Sequence, residues 1–310
     1  MRNVVLGANG RIGRVLQAAW PVLAPDLAAR TVWTARNWGA SGGVSPDGAV
    51  RGDHAPYGGG SVQIDMLGDP AGLARAVSGA GTILCLAGVV PAAARSEAEY
   101  DATVALGLAA VRAAADSGAR LLLASSAAVY GSGAGLRAET DTPAPVNPYG
   151  RAKAAMETDA LALAAERGVD LCCLRIGNIA GLDAALGGWA PGCAMDCFPD
   201  GRTPARSYVG PLTLARVLAD LTVAPQLLPE VLNVAAPDPV GAPVEMGALL
   251  DAADCPWMPR PAPDTAIPVV GLDLTLLLAP ATGVTPVPGS AGARALAADW
   301  RAARAMGAVA

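Results

Sequence analysis

Asn3-Val4-Val5-Leu6-Gly7-Ala8-Asn9-Gly10-Arg11-Ile12-Gly13 decides how the rest of the chain is read. A short apolar run breaks into a turn with glycines at every third position, and an apolar helical pattern follows. Glycine permits the tight turn and lets backbone come close to a ligand. A helix starting at such a turn offers unpaired N–H groups and the positive end of its dipole, a ready site for a pyrophosphate. Gly7, Asn9, Gly10, Arg11, Ile12 and Gly13 are therefore candidate contacts for a dinucleotide.

The pattern continues outward from this turn. Residues 3–7, 30–36, 61–65, 82–87, 121–125 and 169–175 read as strands. They lack alternating polarity, as expected of parallel strands buried on both faces. Helical patterns over 10–20, 70–77, 94–117 and 148–167 separate most of them. Alternation of this kind predicts an α/β fold, a doubly wound parallel sheet of Rossmann type. Residues 1–175 are expected to form the dinucleotide-binding domain. Residues 176–310 are expected to form mainly a smaller substrate lobe, with about 211–235 returning to the main sheet as a helix and a strand. A terminal helix is expected over 291–306. The connection 37–60 holds eight glycines and two prolines in 24 residues and reads as a mobile flap.

The tips of the strands address cofactor choice. An NAD-binding chain commonly places an acid about 20 residues past the glycines. Here Ala35 and Arg36 occupy that place, and an arginine fork suits a 2′-phosphate. NADP is the expected cofactor, with NAD as the alternative. Asp65-Met66 ends the third strand, where the carboxylate suits an adenine amine or simply caps a turn. Leu86-Ala87-Gly88 ends the fourth strand with residues small enough to let a ribose lie against the backbone.

The chemistry is expected further along. Asn147-Pro148-Tyr149 has the form of a helix start, with Asn as cap and Pro in the first turn. Tyr149 and Lys153 then share one helical face. An ammonium and a helix N-terminus both favour phenolate, so they are expected to lower the phenol pKa and ready it for proton exchange with a carbinol or carbonyl. Ser125-Ser126 ends the fifth strand, where a hydroxyl can hold the same oxygen.

Bulk properties remove other classes. The net charge of −5 and the absence of a basic stripe argue against a nucleic-acid partner. The apolar stretches 76–94 and 274–293 are interrupted by glycine or proline and read as buried strands and turns, not membrane spans. No secretory leader is read, and six cysteines without a metal-ligand pattern read as reduced thiols in the cytoplasm. His54 is the single histidine, in the glycine-rich connection, so a Ser-His-Asp hydrolase is a poor reading.

These residues resemble the extended short-chain dehydrogenase/reductase family, also called the NAD-dependent epimerase/dehydratase family. The resemblance rests on Gly7, Gly10 and Gly13, on Ser126-Ala-Ala-Val129-Tyr130-Gly131, on Tyr149 and Lys153, and on Arg175-Ile-Gly-Asn178. It implies Ser126 and Tyr149 as the catalytic pair and Lys153 as the holder of the nicotinamide ribose. It also implies that Asn178 faces a sugar-like small-molecule substrate, and that the chain forms a homodimer through its long helices. Ala127 and Ala128 stand where the dehydratase branch carries an Asp-Glu pair. Arg206 remains as a candidate for a substrate phosphate or carboxylate, although the polar residues that usually follow it are lost. Thr103 replaces a usual asparagine. The resemblance implies hydride transfer at a carbinol carbon, by a dehydrogenase/reductase or by a nucleotide-sugar 4-epimerase. A dinucleotide-sensing protein without turnover would have a broken Ser/Tyr/Lys set, whereas this chain retains all three.

Overall fold

A computed structural model describes residues 1–38, 60–89, 96–133 and 135–309. Seven strands form the main sheet: β1 (Arg2–Leu6), β2 (Thr31–Ala35), β3 (Ser61–Gln63), β4 (Ala80–Cys85), β5 (Arg120–Ser126), β6 (Leu171–Ile176) and β7 (Val231–Val234). All are parallel, in the order β7-β6-β5-β4-β1-β2-β3. The winding reverses between β1 and β4. A crevice therefore opens at their carboxyl ends, where ligands bind in sheets of this type.

Helices α1 (Arg11–Leu23), α2 (Pro25–Ala29), α3 (Pro70–Val77), α4 (Asp101–Ser117), α5 (Pro148–Arg167), α6 (Pro211–Thr222), α7 (Met246–Ala252) and α8 (Ala293–Ala305) surround this sheet and the lobe. Val4, Leu6, Ile83, Cys85, Leu121 and Leu123 pack toward α3, α4 and α5. Val5, Leu84, Leu122, Cys172 and Leu174 pack toward α1 and α6. Apolar side chains on both pleat faces explain why these strands show no alternating polarity. Trp20 couples α1 to α6 by donating from Nε1 to the Ala215 carbonyl at 2.8 Å.

Several boundaries differ from the sequence expectation. Helix α1 passes through Pro21 and ends at Leu23 rather than at Trp20. Proline there removes one hydrogen bond near the end of the helix without stopping it. The short α2 had no signal in the sequence reading. A 3₁₀ turn over Glu97–Tyr100 precedes α4, so the α-helix starts later than 94. The glycine-rich connection read as a flap, with His54, lies outside the described residues apart from its ends.

The strand β7 and helix α6 do return to the main sheet, with β7 paired to β6. The remaining C-terminal segments build small sheets over the carboxyl edge. Val244–Glu245, Ala205–Arg206, Val269–Leu272 and Leu136–Arg137 form one, in that order. Asn178–Ile179 pairs in parallel with Tyr208–Val209. Ala194–Cys197 pairs with Met258–Pro261. Tyr208, Leu249, Leu250, Leu296 and Trp300 fill the core of this lobe. Among the described residues, no helix is long and apolar enough to cross a membrane.

Candidate active site

The glycine turn fits its expected work. Gly7 adopts φ +82°, and a Cβ on it would lie 2.7 Å from the Ala87 amide nitrogen. Glycine is thus required both by conformation and by the approach of the β1 and β4 ends. A Cβ on Gly13 would lie 2.3 Å from the Ala8 carbonyl oxygen, so Gly13 lets α1 seat on the turn. The first intrahelical bond runs from the Arg14 amide to the Gly10 carbonyl at 2.9 Å. The amides of Arg11, Ile12 and Gly13 therefore precede the helical ladder and are available to an anion. Asn9 ties the turn to the end of β2 by donating from Nδ2 to the Asn37 carbonyl at 2.7 Å.

Arg36 is exposed at the tip of β2, and its charge acts on Asp65 across the crevice rim. Asp65 Oδ1 accepts from the Leu67 and Gly68 amides, each at 3.1 Å. Those amide bonds, aided by Arg36, hold its carboxyl below the ordinary value. The capping role is thus present at Asp65. Met66 is buried beside it.

At the chemical end, Asn147 caps α5 by accepting from the Gly150 amide at 2.8 Å, with Pro148 in the first turn. This cap fixes where Tyr149 emerges. The phenol is half-buried. Burial pushes it above its ordinary pKa, the Ser126 hydroxyl beside it and the Arg11 guanidinium pull it back, and Tyr100 raises it. The rings of Tyr100 and Tyr149 are 6.1 Å apart. The expectation that Lys153 lowers the phenol is corrected. In this geometry burial dominates, and among the described residues the cation that acts on Tyr149 is Arg11.

Lys153 is the single lysine of the 310 residues. Its ammonium is buried, donates to the Ala124 carbonyl at 2.7 Å and lies 3.9 Å from Met156 Sδ. Burial lowers its pKa to about 8, against opposing pulls from Cys85, Glu157 and Cys173. Gly88 makes room for it, since a Cβ there would lie 3.2 Å from Nζ. Thr103 takes over part of this wall, with its buried Oγ1 accepting from the Val89 amide at 3.3 Å. The structure therefore brings the glycine turn, Leu86–Gly88, Ser126, Tyr149 and Lys153 to one crevice.

Ser125 and Ser126 divide their work. Ser126 Oγ accepts from the Ala128 amide at 3.2 Å and faces Tyr149. Ser125 Oγ turns away and donates to Glu157 Oε1 at 2.5 Å. Glu157 also pairs with Arg175 at 2.8 Å, with both side chains nearly excluded from solvent. Arg175 then donates to the Tyr130 hydroxyl at 2.9 Å, and Tyr130 donates to Asn233 Oδ1 at 2.7 Å. Asn233 Nδ2 donates onward to the Arg137 and Asp273 carbonyls. This buried chain joins α5 to the lobe strands. Sequence reasoning missed Glu157, although it follows Tyr149 and Lys153 at the same four-residue interval.

Tyr208 orders the segment around Asn178. Its buried phenol donates to Asp183 Oδ2 at 2.6 Å and lies within hydrogen-bond reach of the Asn178 side chain. Asn178 is thus oriented by Tyr208. Arg206 is half-buried and donates to its own neighbour's carbonyl, Ala205, at 2.7 Å. Among the described residues no carboxylate pairs with it.

Comparison with known proteins agrees with this fold. The family model for the NAD dependent epimerase/dehydratase family matches residues 3–187. The fold is similar to that of a UDP-glucose-4-epimerase from Stenotrophomonas maltophila, solved with NAD and formylated UDP-arabinopyranose. That pair shares 20% identity at a TM-score of 0.75, over 99% of each chain. It is similar also to a UDP-glucose 4-epimerase from Thermus thermophilus in complex with NAD, at 21% identity and a TM-score of 0.71, over 98% of this chain and 100% of that one. A dTDP-glucose 4,6-dehydratase from Streptomyces venezuelae with NAD is 19% identical at a TM-score of 0.70, over 98% of each chain. No curated protein matches the sequence significantly. With more than half its length matched by one family model, and with the glycine turn, serine, tyrosine and lysine gathered in one crevice, the chain belongs to the NAD dependent epimerase/dehydratase family.

Proposed function

We propose that this chain is an NAD(P)-dependent oxidoreductase acting at a carbinol or carbonyl carbon of a sugar-like substrate. The observation that carries this reading is the Tyr149 phenol beside the Ser126 hydroxyl, on the helix whose Lys153 donates to the Ala124 carbonyl, with the Gly7 turn packed against Ala87. The residues fit a dinucleotide: free first-turn amides face a turn that only glycine can form. When bound, the nicotinamide supplies the hydride exchange. The chain's own groups do the rest. Tyr149 Oη gives or takes the proton, and Ser126 Oγ holds the reacting oxygen. Lys153 Nζ, with three donors on the charged amine, holds the nicotinamide ribose. Asn178 faces the substrate, and Arg206 meets an anionic group on it.

NADP is the preferred cofactor in this proposal, because Arg36 is exposed at the tip of β2 and no acid follows β2 directly. NAD is the alternative, and the solved neighbours named above hold NAD. A nucleotide-sugar 4-epimerase is the second reading. The buried Ala127 and half-buried Ala128 leave no acid/base pair for water elimination between Ser126 and Tyr130, which sets a dehydratase aside. An NADP-exchanging reductase and an epimerase differ in cofactor retention. Purified protein is examined for dinucleotide by absorbance and fluorescence, then titrated with NADPH and NADH. Dinucleotide that survives dialysis supports the epimerase. Empty protein that binds NADPH better than NADH supports the reductase. A chain that binds neither overturns both.

The same reading includes a cytoplasmic homodimer assembled through α4 and α5, which pack along one another on one face of the sheet. Sedimentation of the purified protein checks the assembly, and a monomer at micromolar concentration would remove it.

A further inference from the structure

Asn3 sits in β1 where packing does not call for a polar side chain. It shares a sheet face with Val5, and its neighbours across the ladder are Thr31 on β2 and Thr82 on β4. Both threonines have partners. Thr31 Oγ1 donates to the Leu27 carbonyl at 2.7 Å, and Thr82 Oγ1 donates to the Thr222 carbonyl, at the end of α6, at 3.0 Å. Asn3 is only 6% exposed, yet among the described residues its side-chain amide forms no hydrogen bond. A buried amide left unmet is costly, so its presence calls for an explanation. The side chain lines a cavity of about 580 Å³ at the amino end of the sheet, on the edge opposite the crevice. That volume is within the range of small-molecule sites.

The charges around the cavity are unequal. Arg30, Arg120 and Arg167 line it with one carboxylate, Asp170. Asp170 is taken by Arg120 at 2.7 Å, and Arg120 also donates to the Ala224 and Gln226 carbonyls. Arg167 pairs with Glu166 at 3.3 Å, with both side chains exposed. Arg30 donates from Nε to the Asp26 carbonyl at 2.9 Å, and no carboxylate pairs with it among the described residues. Helices α4 and α5 end at the cavity, at Gly118 and Gly168, and bring carbonyl groups without helical partners there. We propose that this cavity is a second ligand site, which takes a small polyhydroxylated organic anion. Arg30 and Arg167 meet the anionic group. The Asn3 amide, with donors and an acceptor, meets a hydroxyl, and the helix-end carbonyls accept from the others. Guanidiniums alone would suit inorganic phosphate, but the negative ends of two helices disfavour a bare anion and favour one that carries donors. None of the candidate catalytic or cofactor residues lines this cavity, so binding here needs no dinucleotide.

Calorimetric titration of the full chain tests this without turnover. Ribose 5-phosphate, gluconate and inorganic phosphate are added separately, up to millimolar concentration. Saturable binding of ribose 5-phosphate or gluconate is expected, and the tighter of the two tells whether the anionic group is a phosphate or a carboxylate. Inorganic phosphate should bind roughly tenfold more weakly, for want of the hydroxyl contacts. Asn3→Leu, close to the same size without the amide, should abolish binding. Arg30→Met should weaken it roughly tenfold, the worth of a charged hydrogen bond. Arg206→Met, on the crevice side, should leave it unchanged. No saturable binding of any probe overturns the proposal, because the Asn3 amide is then met by water alone. Inorganic phosphate binding as tightly as the other two overturns it as well. So does full binding in Asn3→Leu, or loss in Arg206→Met, which would return the ligand to the crevice. Should Asn3→Leu fail to fold, the exposed Arg30→Met decides: undiminished binding there overturns the site.

Discussion

Glu157 and Arg175 face each other at 2.8 Å with side chains only 4% and 5% exposed, and they join helix α5 to β6. Burial alone would lower the Arg175 pKa, but the Glu157 carboxylate more than offsets it and holds the guanidinium charged. Removing one partner leaves the other buried and unpaired. Glu157→Ala should cost about 3–5 kcal/mol in denaturant unfolding. The double variant Glu157→Ala/Arg175→Met should lose less than Glu157→Ala alone. Equal stability of Glu157→Ala and the parent chain would show the pair to be unimportant.

Tyr149→Phe removes the only phenol facing Ser126 among the described residues. Turnover should fall by roughly 10²–10⁴-fold, the usual worth of a positioned acid/base. Dinucleotide affinity should change little, since the glycine turn is untouched. Steady-state rates and a binding titration on the same preparation separate the two effects.

Lys153 offers a pH signature. Its buried amine titrates near 8, below its ordinary 10.5. The folded chain thus releases this proton at lower pH than the unfolded chain. Between about pH 8 and 10.5 the unfolded state binds more protons, so this group's contribution to stability rises with pH there and is lost as pH falls through 8. The stability of the parent chain relative to Lys153→Met should climb across that window. Carbon-13 labelling of lysine gives one side-chain resonance to follow, and a midpoint near 10.5 would refute the shift.

Gly13→Ala places a methyl 2.3 Å from the Ala8 carbonyl, which is backbone and cannot rotate aside. Helix α1 must lift from the glycine turn. A loss of about 1–3 kcal/mol is expected, as for other overpacked sites, together with weaker dinucleotide binding. Thermal unfolding and a cofactor titration give both numbers.

Arg36→Ala tests cofactor choice. NADPH affinity should drop roughly tenfold, the worth of a charged hydrogen bond, while NADH affinity stays level. A parallel loss for both cofactors would assign Arg36 a structural role.

The sheet was legible because most of its strands are buried on both faces and helical patterns separate most of them. Asn147 and Pro148 mark a helix start that the structure reproduces at α5, and the helical pattern over 70–77 returns as α3, which the structure shows capped by Asp69. Of the lobe, the terminal helix expected over 291–306 returns as α8, but the lobe's strands were not legible. They are mostly two to four residues long, too short for any period, and Pro259 and Pro261 lie within one of them. At the site, spacing placed Tyr149 and Lys153 on one helical face but gave the wrong direction for the phenol's pKa. The phenol's environment depends on Arg11, 138 positions earlier, and on how far Lys153 is drawn toward Ala124. Local spacing carries neither distance. The Glu157 network escaped for a similar reason, since its partners Ser125, Arg175, Tyr130 and Asn233 meet only when β5, β6 and β7 lie side by side.

Lys153 has a consequence for the covalent life of the protein. Every other lysine-or-arginine position in this sequence is arginine. Acylation, isopeptide conjugation and coupling reagents directed at side-chain amines therefore find one target within it, and that target lies behind the Ala124 carbonyl and Gly88. The basic side chains elsewhere are guanidiniums, which are not lysine nucleophiles. Modification of a lysine side chain here would mean that the crevice had opened, and its rate would report that opening.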